Sequence, residues 1–382
     1  MKALVAFSTF CFSLTAADVT RRAGKYEVSL RISAEGLFAG EEMQIEYRVV
    51  DTSRIDPLMG PAPVIRAATR SKIIMPAMRG MAAIEETAHA EGVPGEYGIH
   101  PAFPHGGEFL MELSIKPPNG EEFQVSFPLN VGDASQLKNA KPKLKPYLVE
   151  LKSSPKNPKA GESVELTVTF RQRESPKQIF QDFVVQHEKL MHLMIVRSDL
   201  GTFSHEHPSI SADGSFRLRY TFPTAGEFHL FGEVAPKGAG SQVLLAILKV
   251  TGKAESVFNL SGSERKTKSV AGDATVDFPG ANNVVTSRKT IPLALQVNDS
   301  ATGNPVTDLQ PYLGAMGHLI LIHEDGVTMV HSHPAEETAP TGAIPFLARF
   351  PKAGLYRGWV QFRRGGSVRT ADFVISAAEG TP

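Results

Sequence analysis

At 382 residues, with 40 basic and 40 acidic side chains and a formal net charge of +0, the chain is too long for one ordinary domain and carries no charge excess. That balance gives no basis for binding nucleic acid or an anionic membrane surface. The 33 glycines and 27 prolines, beside a hydrophobic fraction of 42%, point to many strands and turns around ordinary cores.

In chain order, Met1-Lys2 and the apolar stretch Ala3 to Ala17 read as a secretory signal, residues 1–17, with a small-residue cleavage site near Thr15-Ala16-Ala17. Its apolar core is short for a membrane span, and the competing reading is an uncleaved anchor. The expectation is an exported protein, periplasmic or extracellular, with no transmembrane span once the signal is removed. Cys11, the only cysteine, lies in this segment, which leaves the exported chain no thiol for disulfides or Cys-based zinc sites.

Lys25 to Ile32 alternates as a strand and is followed by Phe38-Ala39-Gly40-Glu41; a similar phrase, Lys159-Ala160-Gly161-Glu162, follows the alternating Tyr147 to Leu151. A second phrase, Phe-Pro-x-x-Gly-x-aromatic, occurs at Phe103–Phe109, Phe222–Phe228 and Phe350–Tyr356. Pro fixes φ and Gly supplies a positive φ, so the phrase reads as a corner before the last strands. Short strands, turn signals every 8–12 residues or so and no long helical periodicity predict three tandem immunoglobulin-like β-sandwich domains. Their expected bounds are 24–131, 147–252 and 256–377, with the polar, Lys-rich 132–146 as a linker. The Gly/Ser/Lys-rich Ser261 to Asn283 blurs the start of the third.

One pattern stands out by occurring twice: His192, twelve residues, His205, one residue, His207-Pro208, and His318, twelve residues, His331, one residue, His333-Pro334. Each copy is an apolar run, a turn signal and a second short run, which is how a β-hairpin reads. With Asp325-Gly326 as a two-residue turn, His318 stands opposite His333 and His331 shares their face; the same register sets His192 against His207. Facing Cβ atoms lie about 4.5–5.5 Å apart and i,i+2 neighbours about 6.5–7 Å, so three imidazoles reach one ion. Shared ancestry explains the repetition itself, and the competing reading is six hydrogen-bonded or solvated histidines. Yet three on one buried face each need a partner, and one ion satisfies all three. Met194 lies on the same face across from His205 and offers a thioether; Ile320 takes its place in the other copy, so the sites are expected to differ toward Cu(I). Protons compete for these nitrogens below about pH 6.5.

The first domain has no such hairpin. It offers Met75, Met78 and Met81, soft ligands suited to Cu(I), with core packing or a mobile loop as the competing reading. Of the other histidines, His105 reads as exposed, His100, His187 and His229 as solvated, and His323 falls on the opposite face of its hairpin.

The Met-Pro-x-Met segment with its Phe-Pro/Gly corner, and the phrases around His192 to Pro208 and His318 to Pro334, resemble the YtkA-like and FixH-like family of exported β-sandwich domains. The resemblance covers most of residues 25–376 and implies a secreted bacterial protein that binds heavy metal or copper; the first domain departs from the pattern in lacking the triad.

With three imidazoles and no thiolate, the Irving–Williams order favours copper, zinc being the alternative. The chain thus reads as an exported metal-binding protein, a copper carrier, buffer or metallocentre assembly factor serving an envelope metal-receiving protein. The competing reading is a structural or protein-binding sandwich array without metal. A three-histidine hydrolase has an open coordination position, but Glu206 points to the other face and no Ser-His-Asp set, phosphate loop or cysteine nucleophile is legible. The reading is accordingly not an enzyme.

Overall fold

The computed structural model describes residues 19–380 except 33–35, 41–42, 58, 79, 92, 134, 136–146, 238–240, 263–264, 266, 281–282 and 335–340. The signal of residues 1–17 and most of the 132–146 linker lie outside the described residues. The named elements are all β-strands, arranged as three immunoglobulin-like sandwiches. The first pairs a six-stranded with a five-stranded sheet, the second a four- with a five-stranded sheet, and the third a four- with a six-stranded sheet. The first begins earlier than the expected residue 24: Val19–Ala23 is itself a strand, paired with Tyr26–Ile32.

Each sandwich encloses its own apolar core, built from the inward set of alternating strands, as in Gly107–Lys116 with its Phe109, Met111, Leu113 and Ile115. The three corner phrases close those cores. Phe103, Phe222 and Phe350 are almost fully buried and each meets the aromatic six residues on, edge to face at 5.1, 4.8 and 4.9 Å between centroids. Gly107, Gly226 and Gly354 between them take φ of +137°, +148° and +131°, angles that a Cβ disfavours.

A fourth apolar cluster belongs to no single sandwich. Met194, Val196, Leu200 and Phe231 of the second pack with Ile320, Ile322 and Trp359 of the third. The strands Met191–Arg197 and His318–His323 are buried along their whole length. One face of each serves its own core and the other serves the joint between the domains.

Candidate metal centre

The two histidine hairpins form with the anticipated register and a different turn. Leu193 pairs with Glu206 and Leu319 with Ser332, which sets His192 against His207 and His318 against His333. The turn bond runs from Gly326 N–H to the His323 carbonyl at 2.8 Å, so Glu324 and Asp325 are the central residues and a four-residue loop replaces the two-residue turn. Of the loop, only Gly326 has a positive φ, +69°, whereas a type I′ turn needs two such residues. The first hairpin has the same construction, with Leu200 at φ +62° in that place. The longer loop has the same centre, so the facing pairs are unchanged.

His192, His205 and His207 bring one ring nitrogen each within 4.8 Å of one another, and so do His318, His331 and His333. The outward nitrogens decide what the inward ones can do. His192 Nε2 donates to the Gln186 carbonyl at 3.0 Å and His318 Nε2 to the Tyr312 carbonyl at 2.9 Å, the same position in the two repeats. His205 Nδ1 donates to Gln361 Oε1 at 2.8 Å, and His331 Nδ1 to Glu233 Oε2 at 2.6 Å. A neutral imidazole has one N–H, so wherever one of these rings is neutral its inward nitrogen carries a lone pair. His192 Nδ1 and His205 Nε2 nonetheless lie 3.0 Å apart, and His318 Nδ1 and His331 Nε2 3.4 Å apart. His333 Nε2 also lies 2.9 Å from His318 Nδ1. Lone pairs aimed at each other repel, and a ring N–H or a cation between them removes that repulsion.

Five of the six rings are poor sites for a proton. Burial, then the neighbouring imidazoles, lowers His192 to about 4 and His207 to about 3, and holds His205, His318 and His333 well below the usual histidine range. The onset of proton competition near pH 6.5, expected for exposed histidines, is therefore displaced downward. Glu233 is lowered to about 2: burial opposes its charge, but its close contact with His331, helped by His192 and a hydrogen bond from Ser241, outweighs burial. Ring N–H groups donated outward to a carboxylate, an amide and two backbone carbonyls form the shell that orients metal-bound histidines. In addition, His207 Nε2 and His333 Nδ1 are buried without a hydrogen-bond partner.

The remaining residues fall elsewhere. Met194 does stand across from His205, as expected, and is fully buried in the cluster between the domains. Met75 and Met81 pack against the first core while Met78 is half exposed, so the three methionines do not share one environment. His187, read as solvated, is instead stacked on His333 at 3.6 Å between centroids. Nothing in its local sequence marks it, because its counterpart in the third domain is Leu313; the two share a left-handed turn, at φ +41° and +51°. His229 is also buried, its Nδ1 meeting the Gly326 carbonyl across the domain joint at 2.5 Å. Arg357, at the equivalent place, donates to the Leu200 carbonyl in return. His323 is a turn anchor, donating through Nε2 to the Ala353 carbonyl and accepting from Asp325 N–H. His100 is half-buried and stacked on His89 at 5.2 Å.

Glu233 and Gln361 were not singled out from sequence. They sit at the fifth place after the corner aromatic, each the cross-strand partner of its own domain's first triad histidine. A polar residue repeated there inside an apolar strand is the signal that marks them. A cavity of about 910 Å³ reaches His331 and Glu233 and is walled on the other side by Glu46, His89, Glu91 and His100 of the first sandwich. A smaller one, of about 280 Å³, touches His187 and His333 and again Glu91. The first sandwich thus borders the histidine cluster on two sides.

Fold and site together define a tandem immunoglobulin-like protein with two tri-imidazole clusters buried at a domain joint. The chain belongs to the family described as "Domain of unknown function (DUF8832)", whose model matches residues 143–251 and 268–379, one triad within each match. No curated protein matches the chain. Among solved structures it is similar to the Escherichia coli adhesin FdeC, 15% identical over 92% of this chain and 96% of that one, with a TM-score of 0.22. It is also similar to invasin, a bacterial integrin-binding protein, 12% identical over 92% and 60% at a TM-score of 0.19, and to Salmonella alpha-2-macroglobulin, 10% identical over 94% and 24% at 0.23. At such scores these likenesses carry no argument about function. Among the described residues no helix is long and apolar enough to cross a membrane.

Proposed function

We propose that the protein is an exported metal-binding protein that holds copper at its two tri-imidazole sites and serves as a carrier, buffer or assembly factor for an envelope acceptor. One observation carries this reading: four ring N–H groups are committed outward, so the inward nitrogens present lone pairs to a common point in each triad. Six imidazoles and no thiolate favour copper over zinc by the Irving–Williams order. The apolar leader-like segment of residues 3–17 and the resemblance to YtkA-like exported domains support placement in the envelope.

Metal titration of the protein purified without a His tag tests the reading. Two copper ions per chain are expected, with zinc bound more weakly. In the double variant His205→Ala/His331→Ala both sites should be lost, and an unchanged stoichiometry there would return the six histidines to a structural role.

A further inference from the structure

The two triads are not separate sites that happen to share a chain. Across the domain joint the ring centroids of His205 and His331 are 5.6 Å apart, those of His192 and His331 5.7 Å, and those of His205 and His318 5.9 Å. Rings within the second-domain triad are 4.6 to 5.2 Å apart, so the gap between triads is scarcely larger than the gaps inside one. The orienting bonds also cross the joint. His205 belongs to the second sandwich and is held by Gln361 of the third; His331 belongs to the third and is held by Glu233 of the second.

Glu233 and Gln361 occupy equivalent places, beside His192 and His318 respectively. The exchange therefore has the form of a local two-fold, matched by His229 on the Gly326 carbonyl and Arg357 on that of Leu200. One difference breaks the symmetry: one orienting group is a carboxylate and the other a neutral amide. A carboxylate accepting the outer N–H makes the ring a stronger donor to a metal and places a negative charge beside the ion.

We propose that the two triads work as one two-ion centre in which Gln361 is the positioning residue for the second-domain ion and Glu233 for the third-domain ion, the latter site filling first. This rests on the reading that the triads bind metal. Filling is stepwise because the charge of the first ion opposes a second placed a few ångströms beyond it in a buried site.

The test uses the full chain. In a His318→Ala background only the second-domain triad remains whole, and Gln361→Leu, a change in the third domain, should lower its copper(II) affinity about 10- to 100-fold. In a His192→Ala background Glu233→Leu, a change in the second domain, should weaken the third-domain site by a similar factor, and Glu233→Gln should restore most of it. Variants that leave the other domain's site unaffected would overturn the proposal while two bound ions in the wild type keep the metal reading intact. No bound ion in the wild type would overturn both. Should a variant not fold, the fully copper(II)-loaded wild type decides: an electron paramagnetic resonance spectrum broadened or silenced by spin–spin coupling supports one centre, and the plain sum of two isolated copper signals overturns it.

Discussion

The imidazole of His187 lies on that of His333 from the neighbouring domain, with centroids 3.6 Å apart and ring planes within 23°. The stack braces one ring of the third-domain triad. Ring pairs of this kind contribute about 0.5–1.5 kcal/mol, which at the upper end is a tenfold change in affinity. His187→Ala should therefore weaken copper at the third-domain site by up to roughly tenfold, and His187→Phe should recover it, because the stack needs a flat ring and not a second nitrogen. Isothermal titration of the two variants separates these outcomes; a loss that Phe does not repair would make His187 a ligand.

In the first sandwich, Glu46 is raised to about 7, first by burial and then by the nearby Glu91 carboxylate, against the pull of Arg31. Its folded value lies above its unfolded one, so the folded state holds an extra proton between about pH 4.5 and 7. The associated stability is fully present below pH 4.5 and is lost as the pH rises through 7. Glu46→Gln keeps one acceptor oxygen, for either Gln44 or Arg31, while removing the buried charge. Thermal melts should show the variant level with the wild type near pH 4.5 and a few degrees more stable at pH 8, and equal melting at both pH values would contradict the argument.

Burial alone would lower His89, yet it is raised, because the Glu91 carboxylate 3.1 Å from its Nε2, with Glu46 and Glu86 adding to it, outweighs burial. Glu91→Gln should reverse the sign and carry His89 below its ordinary value, followed by NMR titration of the imidazole. An unchanged His89 would mean that another of the carboxylates on the cavity wall sets its charge.

The joint between the second and third domains can be opened without emptying either core, because Ile320 belongs to the shared cluster and not to the core of its own sandwich. Ile320→Asp puts a carboxylate, cross-strand from His331, into the cluster of Met194, Val196 and Phe231, and an apolar joint does not tolerate that charge. Trp359, the only tryptophan, is stacked on Phe203 of the second domain at 4.7 Å and reports the event directly. Its emission should shift to the red while the circular dichroism remains that of β-sheet, and copper binding should weaken at both sites together. Retention of two tight sites with an exposed Trp359 would show that the triads do not need the docked joint.

The histidine hairpins were legible because ladder pairing is local. Alternation assigns a face to every residue, and a loop centred between Asp325 and Gly326 gives His318 opposite His333 whether it has two residues or four. The corner phrases were legible for the same reason, as Pro and Gly act on their own backbone angles. His187, Glu233 and Gln361 escaped because their partners lie in the neighbouring domain. His187 read as solvated because no partner is visible in its own stretch of sequence.

By itself the sequence determined that this is a chain of three β-sandwiches and that three histidines in each of two hairpins share a face. The period of two in a strand and the short reach of a turn settle those points within some twenty residues. Only the tertiary structure decided that the two triads meet, that an amide and a carboxylate are exchanged between domains to orient them, and that the first sandwich walls the site. One part of this was visible in outline: Met191–Arg197 and His318–His323 carry apolar residues on both faces, so each strand must be covered on its outer side. Which surface covers it depends on the fit of whole faces contributed by distant segments, and no local pattern encodes that fit.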